Sequence, residues 1–222
     1  PYTIVTRMFS SKVKPTPKNL AAVDFVDYIL SQRLLNQIRE NRGGTYTIRF
    51  NSYVSVREKG RSESEITFKT RPDLYKVLVG DLDDIVSEFC SGGPSEKELE
   101  EARKWLIKNE TESKAKKAMS MPHRNSQVMN YVRNGINPNI DRVAAYGSVT
   151  AEDVRKVAGL FFDEGKLFVK DSGQEGILVF DEKSKQLLVR LNAFGEGPEE
   201  IKRIGAWCID SYQKHICIFD KG

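Results

Sequence analysis

The stretch Leu34–Tyr46, LLNQIRENRGGTY, decides how this chain folds. An apolar helical pattern ends in Ile38-Arg39-Glu40, a glycine pair breaks it, and Tyr46 opens a strand. Glycine at such a corner makes a left-handed backbone cheap. The rest of the chain supplies a sheet and helices that hold this corner, so function is expected near Arg39 and Tyr46.

Upstream, the β-branched and aromatic run YTIVTRMF at 2–9 predicts a strand, and Thr16-Pro17 predicts a capped helix start. The helix is expected over Pro17–Arg39. Its apolar set Leu20, Val23, Val26, Leu30, Leu34 and Ile38 recurs at three- and four-residue steps, widened by Phe25, Ile29 and Leu35.

Downstream, Tyr46, Ile48, Phe50, Val54 and Val56 point to one side of a long strand, with Thr47, Arg49, Asn51 and Ser55 on the other. Turn chemistry at Glu58–Arg61 returns the chain through Ile66 and Phe68, giving an antiparallel hairpin. Pro72 opens an amphipathic helix carrying Leu74, Val77, Leu78, Leu82, Ile85, Val86 and Phe89. Ser95–Glu98 reads as a capping box for a charged, solvated helix to about Ala118, on which Trp105 is expected to be a packing anchor. A further segment from Arg124 carries Val128, Met129 and Val132. A last helix, capped by Thr150–Asp153, turns Val154, Val157, Ala158 and Phe161 inward.

These elements predict an α+β fold, helices packed on one face of a mainly antiparallel sheet. Beyond Gly165 the runs 177–180, 186–191 and 207–219 read as strands in two hairpins, with the domain boundary near Asp171. The expected division is residues 1–170 and a β-rich extension over 171–222. No internal repeat stands out.

The 222 residues carry 35 basic and 31 acidic side chains, a mixed surface that disfavours nucleic acid as a partner. No apolar run is long enough to span a bilayer as a helix. The chain starts Pro1-Tyr2-Thr3, with no signal peptide, and reads as a piece of something longer. Cys90, Cys208 and Cys217 have no metal-ligand spacing; Cys208 and Cys217 could meet if they lie on paired strands, against a reading as small buried thiols. A catalytic zinc needs three close protein ligands, and the only histidines are His123 and His215. No nucleophile elbow, phosphate loop or dinucleotide fingerprint occurs. Arg39 suits a helix C-terminus electrostatically, and Tyr46 suits a strand start.

The segment Arg33–Glu40 followed by Gly43-Gly44-Thr45-Tyr46 resembles the C-terminal, non-zinc-binding domains of the pitrilysin/insulinase family of zinc peptidases. The resemblance continues through the long hairpin, Gly93-Pro94-Ser95 and Val149–Val154, covering roughly residues 1–170. It implies a substrate-side domain of a larger zinc endopeptidase, partnered by upstream catalytic domains of the same protein and closing around a peptide. Zinc would be held by an HxxEH sequence in an upstream domain, since none occurs here. By this resemblance Tyr46 donates to the oxyanion and Arg39 holds a substrate carbonyl. The alternative is an interaction or scaffold domain from a family member that has lost zinc.

Overall fold

The computed structural model describes residues 2–40, 45–117, 120–137, 139–162, 165–171, 176–181, 183–191, 204–209 and 216–220. The elements are β1 (Thr3–Lys12), α1 (Pro17–Leu34), a π-helical turn (Leu35–Glu40), β2 (Thr45–Ser55), β3 (Arg61–Thr70), α2 (Tyr75–Gly92) and α3 (Glu96–Lys117). Then come α4 (Met121–Asn134), α5 (Arg142–Ser148), α6 (Ala151–Phe161), β4 (Gly165–Asp171), β5 (Ile177–Asp181), β6 (Leu187–Leu191), β7 (Ile204–Ile209) and β8 (Ile216–Asp220).

Strands β1 to β6 form one antiparallel sheet in the order β2-β3-β1-β4-β5-β6, and β7 pairs with β8 separately. The α+β reading is therefore observed. Strand alternation sends Val5, Phe9, Phe50, Ile66, Phe68, Leu167 and Val169 into the core that α1, α2 and α6 cover. Helix α6 presents Val154, Val157, Ala158 and Phe161 inward, as its period requires.

The caps decide where the helices start. Thr16 accepts from the Asn19 N–H at 3.2 Å behind Pro17. Ser95 and Glu98 close a capping box, the Glu98 carboxylate accepting from the Ser95 N–H at 2.8 Å, and Thr150 with Asp153 forms another. Helix α2 instead begins at Tyr75, because residues after Pro72 form a turn first and Leu74 offers no side-chain cap.

Several expectations are corrected. Val77 lies on the solvent side of α2. Helix α4 starts at Met121 and not at Arg124; its Val128, Met129 and Val132 are exposed, and it meets the hairpin through Arg57, which donates to the Tyr131 carbonyl. Ser55 is buried, not solvent-facing, because its Oγ accepts from the Glu58 N–H and its carbonyl from the Gly60 N–H to make the turn. Helix α5 went unread in the sequence; Asp141 caps it by accepting from the Ala144 N–H at 3.1 Å.

The sheet is not apolar on one face alone. Phe168, Ile177 and Val179 form a second, smaller cluster with Met8 and Leu191, on the side away from Leu167 and Val169. This doubling is confined to the β4–β6 end. Strand β6 forms that edge of the sheet, with Leu187, Leu188 and Val189 exposed.

Candidate functional site

The corner differs from the expectation at both of its ends. The α-helix stops at Leu34, and Leu35–Glu40 continue as a π-helical turn that contains Arg39. Buried Leu34 and Ile38 pin the turn to the core. Such single π turns inside or after α-helices recur at functional sites. On the other side, β2 pairs Thr45 with Thr70 but Ile48 with Phe68, so one extra residue is accommodated between Thr45 and Ile48. Tyr46 thus lies within the register shift, between Thr45 and Ile48. Bulges change the strand's aim locally. Residues 41–44, with the glycine pair, lie outside the described residues, as do the side chains of Arg39 and Tyr46.

One helical turn before the corner, Arg33 makes a two-pronged pair with Glu98: Nε to Oε1 at 2.7 Å and Nη2 to Oε2 at 2.9 Å. Its Nη2 also donates to the Gly93 carbonyl, and its guanidinium lies 5.0 Å from the Phe89 ring centre. Burial alone would raise the Glu98 pKa, but the hydrogen bonds from Arg33 and Ser95 win and hold it at about 2. The pair lines a recess of about 470 Å³ with Gln32, Asn36, Gln37 and Glu88. It ties α1 to the start of α3, which fixes the direction in which the π turn leaves the helix. Arg33→Met is expected to lower stability by about 2 kcal/mol, since it strands a half-buried carboxylate and removes the cation from Phe89. Urea unfolding at pH 7 checks this, and a change below about 0.5 kcal/mol would show the pair to be energetically idle.

A second cavity of about 470 Å³ lies among α1, α3 and α5. Asp24 and Asp27 reach it from α1, one helical turn apart, with Trp105 and Glu110 from α3 and Arg142 and Tyr146 from α5. The Tyr146 hydroxyl donates to Asp24 Oδ2 at 2.7 Å, and Arg142 Nη1 stands 3.5 Å from the same oxygen. Burial raises the Asp24 pKa against the pull of Arg142 and that hydrogen bond. Burial also raises Tyr146, with neighbouring Asp24 adding to the shift. Asp27 is pushed up to about 7 by burial, helped by the Asp24 charge, while the nearby Ser52 hydroxyl pulls the other way. Neither Asp27 Oδ1 nor Ser52 Oγ makes a well-aligned hydrogen bond among the described residues. Arg103 fixes α5 against α3 by donating to the carbonyls of Tyr146 and Val149.

Trp105 corrects an expectation here. It is 47% exposed, its ring 4.8 Å from that of Tyr28 at an interplanar angle of 32°, so it flanks the cavity mouth and is not a core anchor. None of Asp24, Asp27, Arg142 or Tyr146 was singled out from sequence. The available signal was two carboxylates inside the apolar run AAVDFVDYIL at 21–30.

Among the described residues, no three His, Cys, Asp or Glu side chains come together as a metal set. No described helix is long and apolar enough to cross a membrane. His123 is half-buried on α4, and His215 lies outside the described residues. Burial pushes the Cys90 thiol up to about 11, away from reactivity. Cys208 and Cys217 are direct cross-strand partners in the β7–β8 register.

With this geometry in hand, known structures can be compared. The periplasmic protease PqqL of Escherichia coli superposes with a TM-score of 0.56 at 20% identity, over 73% of this chain and 18% of its own length. The M16 peptidase inactive domain of Pseudomonas fluorescens gives 0.58 at 21% identity, over 73% and 38%. The fold is that of an M16 peptidase domain. A Yersinia pestis protein predicted to be an insulinase-family protease gives 0.56 at 12% identity, over 78% of this chain and 40% of its own. At such identities the likeness is one of fold, and the chain spans less than half the length of each of these three. No curated protein sequence matches the chain.

The M16-type fold does not account for the whole sequence. Residues 150–222 match a family model, DUF5128, described as a 6-bladed beta-propeller. Within that stretch β4, β5 and β8 each end in aspartate, at Asp171, Asp181 and Asp220. Strands β4 and β5 are apolar on both sides and belong to the six-stranded sheet.

Proposed function

We propose that this chain is the substrate-side, non-catalytic part of a larger zinc endopeptidase, with residues 1–170 as the peptidase-like domain and 171–222 as a β-rich extension. The observation that carries the reading is the corner. Arg39 lies in a π turn and Tyr46 within a register shift of β2, two departures from regular backbone at the residues singled out by their resemblance. In this reading the Tyr46 hydroxyl donates to the oxyanion that develops as the peptide bond is attacked, and Arg39 holds a neighbouring substrate carbonyl. Bound zinc, in an upstream domain, supplies an activated water and polarises the carbonyl. Partners are then the upstream catalytic domain and a peptide substrate.

Tyr46→Phe in the full-length protein is expected to lower kcat about a hundredfold with KM nearly unchanged, because the phenol acts on charge present only in the transition state. Unchanged kcat removes Tyr46 from the mechanism.

The second reading is an interaction or scaffold domain whose parent has lost zinc. The propeller-like match over 150–222 favours it, since propellers serve widely as binding platforms. The two separate on the sequence upstream of Pro1: an HxxEH with a distal glutamate supports the peptidase, and a corresponding domain without it supports the scaffold.

A further inference from the structure

We infer that Cys208 and Cys217, set opposite one another by the register of β7 and β8, are joined by a disulfide that staples this hairpin, formed by exchange with a low-molecular-weight disulfide such as oxidised glutathione. Neither cysteine belongs to the corner of Arg39 and Tyr46, so the inference stands independently of the peptidase reading.

Register carries the pairing. Ala206, Trp207, Cys208 and Ile209 are matched with Phe219, Ile218, Cys217 and Ile216 in an unbroken run, and the register shift of this pair lies further back, between Ile204 and Ala206. Directly opposed residues of an antiparallel pair share one side of the sheet, with Cα atoms about 4.5 or 5.5 Å apart according to whether they exchange hydrogen bonds. Disulfides bridge Cα atoms about 4.4–6.8 Å apart, so either kind of pair is within reach without moving the backbone. A slip of one residue would match Cys208 with Ile216 or Ile218 instead. The bond is therefore specific to the register observed.

The hairpin also has a physical use for it. Among the described residues β7 and β8 form a sheet of two strands, separate from the six-stranded sheet. An isolated two-stranded hairpin is marginal in water, because one interstrand ladder barely offsets the chain entropy lost in ordering it. Joining position 208 to position 217 removes part of that entropy from the disordered hairpin in advance. The third cysteine is a poor competitor. Cys90 lies on α2, packed against the main core, and its burial keeps the thiol protonated, so little of the attacking thiolate is present there.

The exchange runs in two steps. The thiolate of one cysteine attacks a sulfur of oxidised glutathione, the S–S bond breaks, and one glutathione thiolate leaves. The thiolate of the other cysteine then attacks the protein sulfur of this mixed disulfide and expels the second glutathione. Two cysteine thiols are oxidised by two electrons, one disulfide is reduced to two thiols, and the protons lost by the cysteines are taken up by the glutathiones. Excess reduced glutathione drives the same steps backwards.

Mass spectrometry on the full chain tests this, after equilibration with oxidised and reduced glutathione, alkylation with N-ethylmaleimide and tryptic digestion without reduction. Trypsin cuts after Arg203, Lys214 and Lys221, which puts the two cysteines on separate peptides, 204–214 and 215–221. These are expected as one cross-linked species that reduction splits, with Cys90 carrying the alkyl group. At fixed glutathione concentrations, the ratio of oxidised to reduced pair should be at least about tenfold higher in the folded chain than in concentrated guanidinium chloride, because a bond that stabilises the folded hairpin is itself favoured by folding. Equal ratios in the two media overturn the proposal, since the bond would then owe nothing to the register. Alkylation of all three cysteines in excess oxidised glutathione overturns it too, as does a disulfide to Cys90 or between two chains.

Discussion

Gly60→Ala is expected to lower stability by about 3 kcal/mol or more. Gly60 has φ of +84°, which an alanine adopts only under strain. Space is the graver obstacle. A Cβ at this position would stand 1.9 Å from the carbonyl oxygen of Val13 and 2.8 Å from its carbonyl carbon. The neighbour cannot yield easily, because the Val13 N–H donates to the Gly60 carbonyl at 2.7 Å and the Val13 side chain is wholly buried. Backing away from the new methyl group means giving up that hydrogen bond and lifting Val13 from the core. Lys59, at φ +55° in the same turn, is the control. Lys59→Gly relieves strain at an exposed position and should change stability by less than about 1 kcal/mol. Urea midpoints of the two variants decide the matter, and a Gly60→Ala protein within about 0.5 kcal/mol of wild type would refute the close approach.

That turn also shows what sequence reading reached and where it stopped. Glu58–Arg61 with Gly60 is recognisable as a turn from its residues, because turn chemistry is local. That the glycine is required by Val13, nearly fifty residues earlier, belongs to tertiary packing and leaves no local mark. The same division runs through the molecule. The caps at Thr16, Ser95 and Thr150, the inward face of α6 and the hairpin periodicity were readable, since each is decided within a few residues. Whether α4 is covered was not legible, because amphipathic spacing says which residues share a face and nothing about whether a partner covers it. The end of α1 was misjudged because the apolar period runs unbroken through Ile38, while the backbone changes from α to π spacing at Leu35. For the site, the sequence placed Arg39 and Tyr46 on either side of the glycine corner, but the π turn and the register shift there are backbone adjustments that residue types do not encode. The acidic cavity needed three helices to converge, one of them unrecognised, so Asp27 looked like an ordinary helical carboxylate.

Asp27→Asn is expected to stabilise the protein at pH 8 by about 3 kcal/mol and to have little effect near pH 4. The sign follows from proton binding. The Asp27 carboxyl has a pKa of 3.8 when unperturbed and about 7 in the folded chain. Between those values the folded protein holds a proton that the unfolded chain has released, so raising pH through this window favours unfolding. Below about pH 4 both states are protonated and the carboxyl contributes nothing. Above 7 both are ionised, and the full cost of burying the carboxylate is present. Asparagine never ionises, so its advantage should grow as pH rises from 4 to 7 and then level off. The other carboxylates titrate alike in both proteins and cancel in the difference. Chemical denaturation of both proteins at several pH values from 4 to 8 measures this directly. A difference that does not vary with pH would mean that Asp27 is ionised throughout the range, held so by donors such as the nearby Ser52 hydroxyl.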